Sequence, residues 1–134
     1  MTRKLCSTLI LGFYIFLCGF TVSLEKEPVE YYLNYLSKTS AVEVQSDSSY
    51  DIAFRASVNV LRDLNVNIIK KDYEERVIVG AYYSSGCFSA YSVNFKTSNG
   101  KTVIEIKGRG AWFSSDFIAD RIQKEIVFIS KHGF

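Results

Sequence analysis

The sequence predicts an α+β domain: an antiparallel sheet of four to five strands with two helices packed on one face, in the order β-α-β-β-β-β-α. Three features predict it. Residues 50–64 alternate polar and apolar side chains with the period of a helix. Asn99-Gly100 sits between two stretches that alternate with the period of a strand. Ile118, Ile122, Ile126 and Ile129 then recur three and four residues apart, as on one ridge of a closing helix.

The first helix is the clearest element. Asp51, Arg55, Asn59, Arg62 and Asp63 fall on one side, and Tyr50, Ala53, Phe54, Ala56, Val60, Leu61 and Leu64 cover the other. Ile52 is the one apolar residue out of place. Ser48, three residues before Asp51, approximates a capping box. Asn65 suits the left-handed conformation that ends a helix. Before this helix, residues 39–45 alternate as a short half-buried strand.

Strands follow over residues 66–71 and 76–83, joined by a charged turn at 72–75. Val77, Val79, Ala81 and Tyr83 share one face of the second. Ser84-Ser85-Gly86 turns the chain into a strand over residues 87–97. Asn-Gly favours the type I′ turn, which fixes the register. Phe95 then faces Ile104, Val93 faces Ile106 and Tyr91 faces Gly108. On the other side Lys96 faces Val103, Asn94 faces Glu105 and Ser92 faces Lys107. One side is apolar and the other mostly polar, as in a sheet covered on one face. By this parity Tyr82 and Phe88 are expected on the uncovered face. Ser114 or Ser115 caps the last helix, with Asp116 in its first turn.

The 134 residues hold one such domain, at 41–134, after two shorter segments. Residues 1–23 read as an export signal: Arg3 and Lys4 precede an apolar run, and Thr21-Val22-Ser23 supplies small residues for cleavage. Two other fates are open. The uncharged run over residues 5–24 is long enough to remain as a membrane anchor, and Cys18 is a candidate for lipidation, although Phe16-Leu17 are large for such a site. Each places the domain outside the cytoplasm, in the periplasm or cell envelope. Residues 24–40 form a helical segment in which Pro28 suits the first turn. Val29, Tyr32, Leu33 and Leu36 share its apolar side.

Charge excludes one class of partner. Without residues 1–23 the chain has 14 Lys+Arg against 14 Asp+Glu, so no electrostatic footprint for nucleic acid remains. Cysteine excludes an internal disulfide, because only Cys87 lies beyond the export segment. It is a candidate free thiol, or else a small buried strand residue.

The motifs of catalysis are missing. The single histidine, His132, lies near the chain end, where it suits a helix C-terminus. No HExxH, Gly-rich phosphate loop, EF-hand loop or cysteine pair occurs. Asp72, Glu74 and Glu75 cluster between Lys70-Lys71 and Arg76, as in a solvated hairpin tip. No catalytic residue, cofactor or metal ligand is therefore expected. The candidate contact patch is Arg109, Trp112, Tyr82 and Phe88, since arginine and aromatic residues concentrate at interface hot spots. The other reading of Gly108-Arg109-Gly110 is a strand end whose glycines make room for the last helix while Trp112 plugs the core.

Two stretches, AFRASVNVLRDLNVNIIKKDYEERVIVGAYY and KTVIEIKGRGAWFSSDFIADRIQKEI, resemble a group of small bacterial envelope proteins of unknown function, many of them lipoproteins. Ala56, Leu61, Val66, Ile68, Ile78, Ile104, Ile106, Gly108, Ser115, Ile118 and Ile122 carry the likeness, over residues 51–126. More distantly the chain is similar to helix-grip modules in lipoprotein subunits of outer-membrane assembly machinery. The resemblance implies an exported α+β domain and supplies no catalytic residues. The functional expectation is a non-enzymatic envelope domain acting through protein or surface contacts. Its expected partner is an envelope protein, with membrane association through residues 1–23 where that segment is retained. The alternative is a small apolar-ligand-binding module with a pocket between sheet and helices.

Overall fold

The computed structural model describes residues 27–132. Residues 1–23, read above as an export signal, with Cys6 and Cys18, and Gly133 lie outside the described residues. The chain divides within the first helix among the described residues. Residues Met1–Tyr31 form one unit, of which only the opening turns of that helix are described. The second unit is Tyr32–Phe134.

The elements run α1 (Glu27–Leu36), β1 (Val42–Ser46), α2 (Tyr50–Asp63), β2 (Asn67–Asp72), β3 (Val77–Ser84), β4 (Cys87–Ser98), β5 (Lys101–Gly110) and α3 (Ser115–His132). The five strands form one antiparallel sheet in the order β1-β5-β4-β3-β2. The α+β class, the sheet and the two helices on one face agree with the expectation from sequence.

Turn chemistry places the strands. Asn99 and Gly100 both adopt positive φ (53° and 78°), which is the type I′ conformation. The β4–β5 register is the expected one, with Phe95 opposite Ile104, Val93 opposite Ile106 and Tyr91 opposite Gly108. Ser85 and Gly86 make a second turn of this kind between β3 and β4. Asn65, at φ 63°, ends α2 as expected. The N-cap differs from expectation. Ser49, not Ser48, accepts the Ile52 N–H at 3.3 Å. Ser48 instead donates its own N–H to Ser46 Oγ and gives its carbonyl to Thr102.

The main core lies between α2, α3 and the sheet. Ala53, Ala56 and Leu61 of α2 and Ile118 and Ile122 of α3 are fully buried against Ile78, Tyr91, Val93, Ile104 and Ile106. Each leucine, isoleucine or valine among them contributes about 1.5–3 kcal/mol by leaving water. Ile52, out of place on the helical wheel, packs at the margin of this core. Asn59 donates to Glu125 at 3.1 Å and ties the two helices together.

The opposite face of the sheet is not bare. Tyr32 and Leu36 of α1 bury themselves on Val79, Ala81 and Ala90, with Tyr35, Ile69, Val77 and Phe88 at the margin. The expectation of a sheet covered on one face is corrected here. β3 is buried on both faces over residues 78–81. A strand in that position reads as a continuous apolar run, and alternation then no longer marks an outside.

Candidate functional site

The same parity decides where the expected contact residues go. Ile78, Gly80 and Tyr82 of β3 point to the main core, whereas Val77, Val79, Ala81 and Tyr83 point to α1. Tyr82 therefore sits on the side of α2 and α3, and Phe88, opposite Tyr83, on the side of α1. The expected patch of Arg109, Trp112, Tyr82 and Phe88 is split by the sheet into two groups.

The first group gathers at the end of the sheet where β5 leads into α3. Tyr82 packs edge-on against Trp112, with centroids 5.7 Å apart, and against Phe113 at 5.2 Å. Phe113 stacks on Phe117 at 5.7 Å. The Arg121 guanidinium lies 5.9 Å from the Phe117 ring. Trp112 is 37% exposed and Phe117 43%, so Trp112 rims the core and does not plug it.

Backbone geometry holds this group in place. A Cβ on Gly110 would come within 2.5 Å of the Phe88 carbonyl oxygen and Ser89 Cα, and its φ is 134°. Only glycine lets β5 leave the sheet so close to β4. Ser89 Oγ then accepts the Trp112 N–H at 2.8 Å. Two residues on, Ser114 Oγ accepts the Phe117 N–H at 3.1 Å and caps α3. The Trp112-Phe113 pair is thus fixed between two hydrogen-bonded serines. Phe113, Phe117 and Arg121 were not anticipated as members. The i, i+4 spacing of Phe117 and Arg121 is the local signal that could have found them.

The second group lies under α1. Phe88 meets Tyr35 at 5.0 Å, Tyr83 at 5.7 Å and Tyr32 at 5.9 Å. The Tyr32 and Tyr83 hydroxyls share a hydrogen bond. Arg109 donates to the Tyr35 carbonyl and lies over the Tyr35 ring. These contacts fasten α1 to the sheet, and Arg109 remains exposed.

Cys87 is a free, exposed thiol at the start of β4. The reading of a buried strand residue is corrected: the preceding turn brings it to the surface. A third aromatic cluster (Tyr50, Phe54, Tyr73 and Phe95) closes the opposite end of the core, with Arg76 4.4 Å over the Tyr50 ring. Burial pushes the Tyr50 hydroxyl pKa above its usual value, against the pull of Arg76.

Two grooves lie on the flanks of the domain. One, about 390 Å³, runs between the end of α2 and β2, beside Arg62, Ile68 and Lys71. The other, about 430 Å³, runs between β1 and α3, beside Val44, Gln123 and Val127. Among the described residues no three or more His, Cys, Asp or Glu gather as a metal site. His132 stacks on Phe128, and its ring Nδ1 lies 2.9 Å from the Phe128 carbonyl oxygen. No described helix is long and apolar enough to cross a membrane.

No protein-family model matches the chain, and no curated protein matches it. Among solved structures, a crystal structure of Ara h 8.0201 is similar at 10% identity, covering 67% of this chain and 97% of that one, with a TM-score of 0.36. The residues themselves carry the functional argument.

Proposed function

We propose that this protein is an exported, non-enzymatic domain of the cell envelope that binds a protein partner through Tyr82, Trp112, Phe113, Phe117 and Arg121. One observation carries the reading. An exposed tryptophan, its backbone N–H bonded to Ser89, packs on Tyr82, which connects through Phe113 to the exposed Phe117 and to Arg121. Exposed aromatics on a fixed backbone lose little conformational entropy when covered, and Trp, Tyr and Arg dominate interface hot spots. The export pattern of residues 1–23 and the resemblance of residues 51–126 to small envelope proteins support the compartment. The filling of the space between helices and sheet by fully buried side chains favours contact over the enclosure of a ligand.

The test uses the single tryptophan. Capture from envelope extracts recovers a reproducible partner with the parent protein and not with Trp112→Ala. The purified partner shifts tryptophan emission to shorter wavelength as Trp112 leaves water. Capture that recovers nothing reproducible, or a partner retained equally by Trp112→Ala, sinks the reading. Mass spectrometry of the mature N-terminus separates the cleaved, anchored and lipidated forms.

A further inference from the structure

The two edges of the sheet differ in kind. Edge strands expose unpaired backbone groups, and proteins blunt them with lysine, bulges or proline. β2 is blunted: it carries Lys70 and Lys71, and its pairing with β3 is irregular between Ile68 and Lys70. β1 reads VEVQS, pairs with β5 in unbroken register, and contains no lysine, proline or glycine. Among the described residues no strand lies on its other side.

The outward groups of β1 follow from the hairpin. A type I′ turn closes on a hydrogen-bonded pair, here Ser98 and Lys101. Antiparallel pairs alternate between bonded and non-bonded. Thr102, Ile104 and Ile106 therefore direct their backbone groups to β1, where Ser46, Val44 and Val42 answer them. Glu43 and Gln45 direct their N–H and C=O groups away from the sheet.

We propose that β1 pairs with β1 of a second copy of this chain, antiparallel about a two-fold axis at Val44, and joins the two sheets into one. Three registers would pair outward-directed residues with one another. Glu43 against Glu43 opposes two carboxylates. Gln45 against Gln45 leaves both Glu43 residues outside the pair. Glu43 against Gln45 engages all four residues, opposes no like charges and sets Val44 against Val44.

The neighbouring helix is complementary to itself in the same arrangement. An axis perpendicular to the sheet sets α3 beside its copy, running antiparallel. Asp116, Asp120, Gln123, Val127 and Lys131 fall within about 40° of one line along α3, and all are exposed. The line is acidic at its start, neutral in the middle and basic at its end. Antiparallel pairing therefore brings Asp116 to Lys131 of the copy. Gln123 lines the same groove as Val44, so the axis passes near the midpoint between Asp116 and Lys131. Val127, 52% exposed beside this groove, would be covered.

This surface is distinct from the Trp112 group, so the two proposals fail independently. Sedimentation and light scattering on the exported protein read the mass as a function of concentration. The expected result is a homodimer that dissociates on dilution. Gln45→Pro removes one outward N–H without touching a β5 bond, and is expected to give a monomer with an unchanged circular dichroism spectrum. Lys131→Asp weakens association by about tenfold, since the two-fold repeats an exposed ion pair, and adding Asp116→Lys restores it. If Gln45→Pro fails to fold, the surface variant Val127→Glu takes its place and must give a monomer. A parent protein that is monomeric at every concentration, an assembly containing a different chain, or a dimer unchanged in a folded Gln45→Pro or Val127→Glu overturns the proposal.

Discussion

Arg109 donates to the Tyr35 carbonyl at 2.8 Å, and its guanidinium lies 4.4 Å over the ring of the same tyrosine. The carbonyl belongs to the last turn of α1, where no intrahelical N–H remains to satisfy it. One cation on the last sheet-forming strand thus caps a helix and grips its side chain. α1 has no basic residue in its own last turn, so the compensation comes from the sheet. Arg109→Ala is expected to lower stability by about 1 kcal/mol, the sum of an exposed cation–π contact and a charge-assisted hydrogen bond. Arg109→Lys should recover only part, because the planar group is what lies on the ring. Amide exchange in α1 is the sharper measurement. It should accelerate in Arg109→Ala while α3 amides stay protected.

Gly110 and Gly86 both have positive φ, yet substitution should affect them very differently. Around Gly86 nothing lies within 4 Å of an added Cβ, so Gly86→Ala carries only the left-handed cost of about 1 kcal/mol. At Gly110 the added carbon meets the Phe88 carbonyl oxygen and Ser89 Cα at 2.5 Å. The backbone of β4 cannot yield as a side chain could. Gly110→Ala should lose about 3 kcal/mol or more and disturb the Trp112 environment with it. Denaturant midpoints for the two variants, with tryptophan emission as the probe, check the contrast. Equal losses would show that the close approach at Gly110 is not the constraint.

Charge on the open part of the sheet gives a pH signature. Glu43 lies directly opposite Glu105 across β1 and β5, an unfavourable like-charge pairing. Lys96 bridges to Glu105 at 3.0 Å. Its hydrogen bond, the largest influence, lowers the Glu105 pKa, and Glu105 in turn raises that of Lys96. A lowered carboxyl contributes stability above its unfolded pKa and loses it as pH falls through the folded value. A raised ammonium contributes below its unfolded pKa and loses it as pH rises through the folded value. Lys96→Met should therefore soften both limbs of the stability profile, the acid one below the usual glutamate range and the alkaline one above the usual lysine range. Glu43→Gln should raise stability near neutrality. Unfolding midpoints across pH test both, and a Lys96→Met profile parallel to the parent's would rule the bridge out.

What was legible in the sequence follows from how local its determinants are. The β4–β5 register rests on two residues whose backbone preference fixes every pair beyond them. The isoleucine ridge of α3 is periodic within one element, and Ile118, Ile122, Ile126 and Ile129 are all buried. Tyr82 was misplaced because β3 is apolar on both faces and its parity is set by partners in other elements. Arg109 is exposed, and its contact with Tyr35 has no local sequence signal, because the partner is 74 residues away in a helix whose role as the cover of the second face no local pattern announces. The Trp112 group was half visible. Its tryptophan and glycines are adjacent in sequence, while Tyr82 joins them only through the sheet.

Tyr91 offers a change whose sign runs against the usual cost of core substitution. Its ring is fully buried over Gly108, where an added Cβ would come 3.0 Å from the ring edge. Its hydroxyl is buried with no hydrogen-bond partner among the described residues. Ser89 and the Phe113 backbone lie close enough to pull its pKa down against burial, but neither meets hydrogen-bond geometry with the hydroxyl. Burial dominates and pushes the Tyr91 pKa up. An unsatisfied buried hydroxyl costs about 1–3 kcal/mol relative to water. Tyr91→Phe removes that cost, keeps the ring and leaves no cavity, so stability should be unchanged or rise by about 1 kcal/mol. Tyr91→Ala, by contrast, should lose about 3–5 kcal/mol through the cavity left under α3. Chemical denaturation with matched slopes decides the matter. A loss of more than about 1 kcal/mol in Tyr91→Phe would mean that the hydroxyl is satisfied in solution, with an internal water as the obvious donor or acceptor.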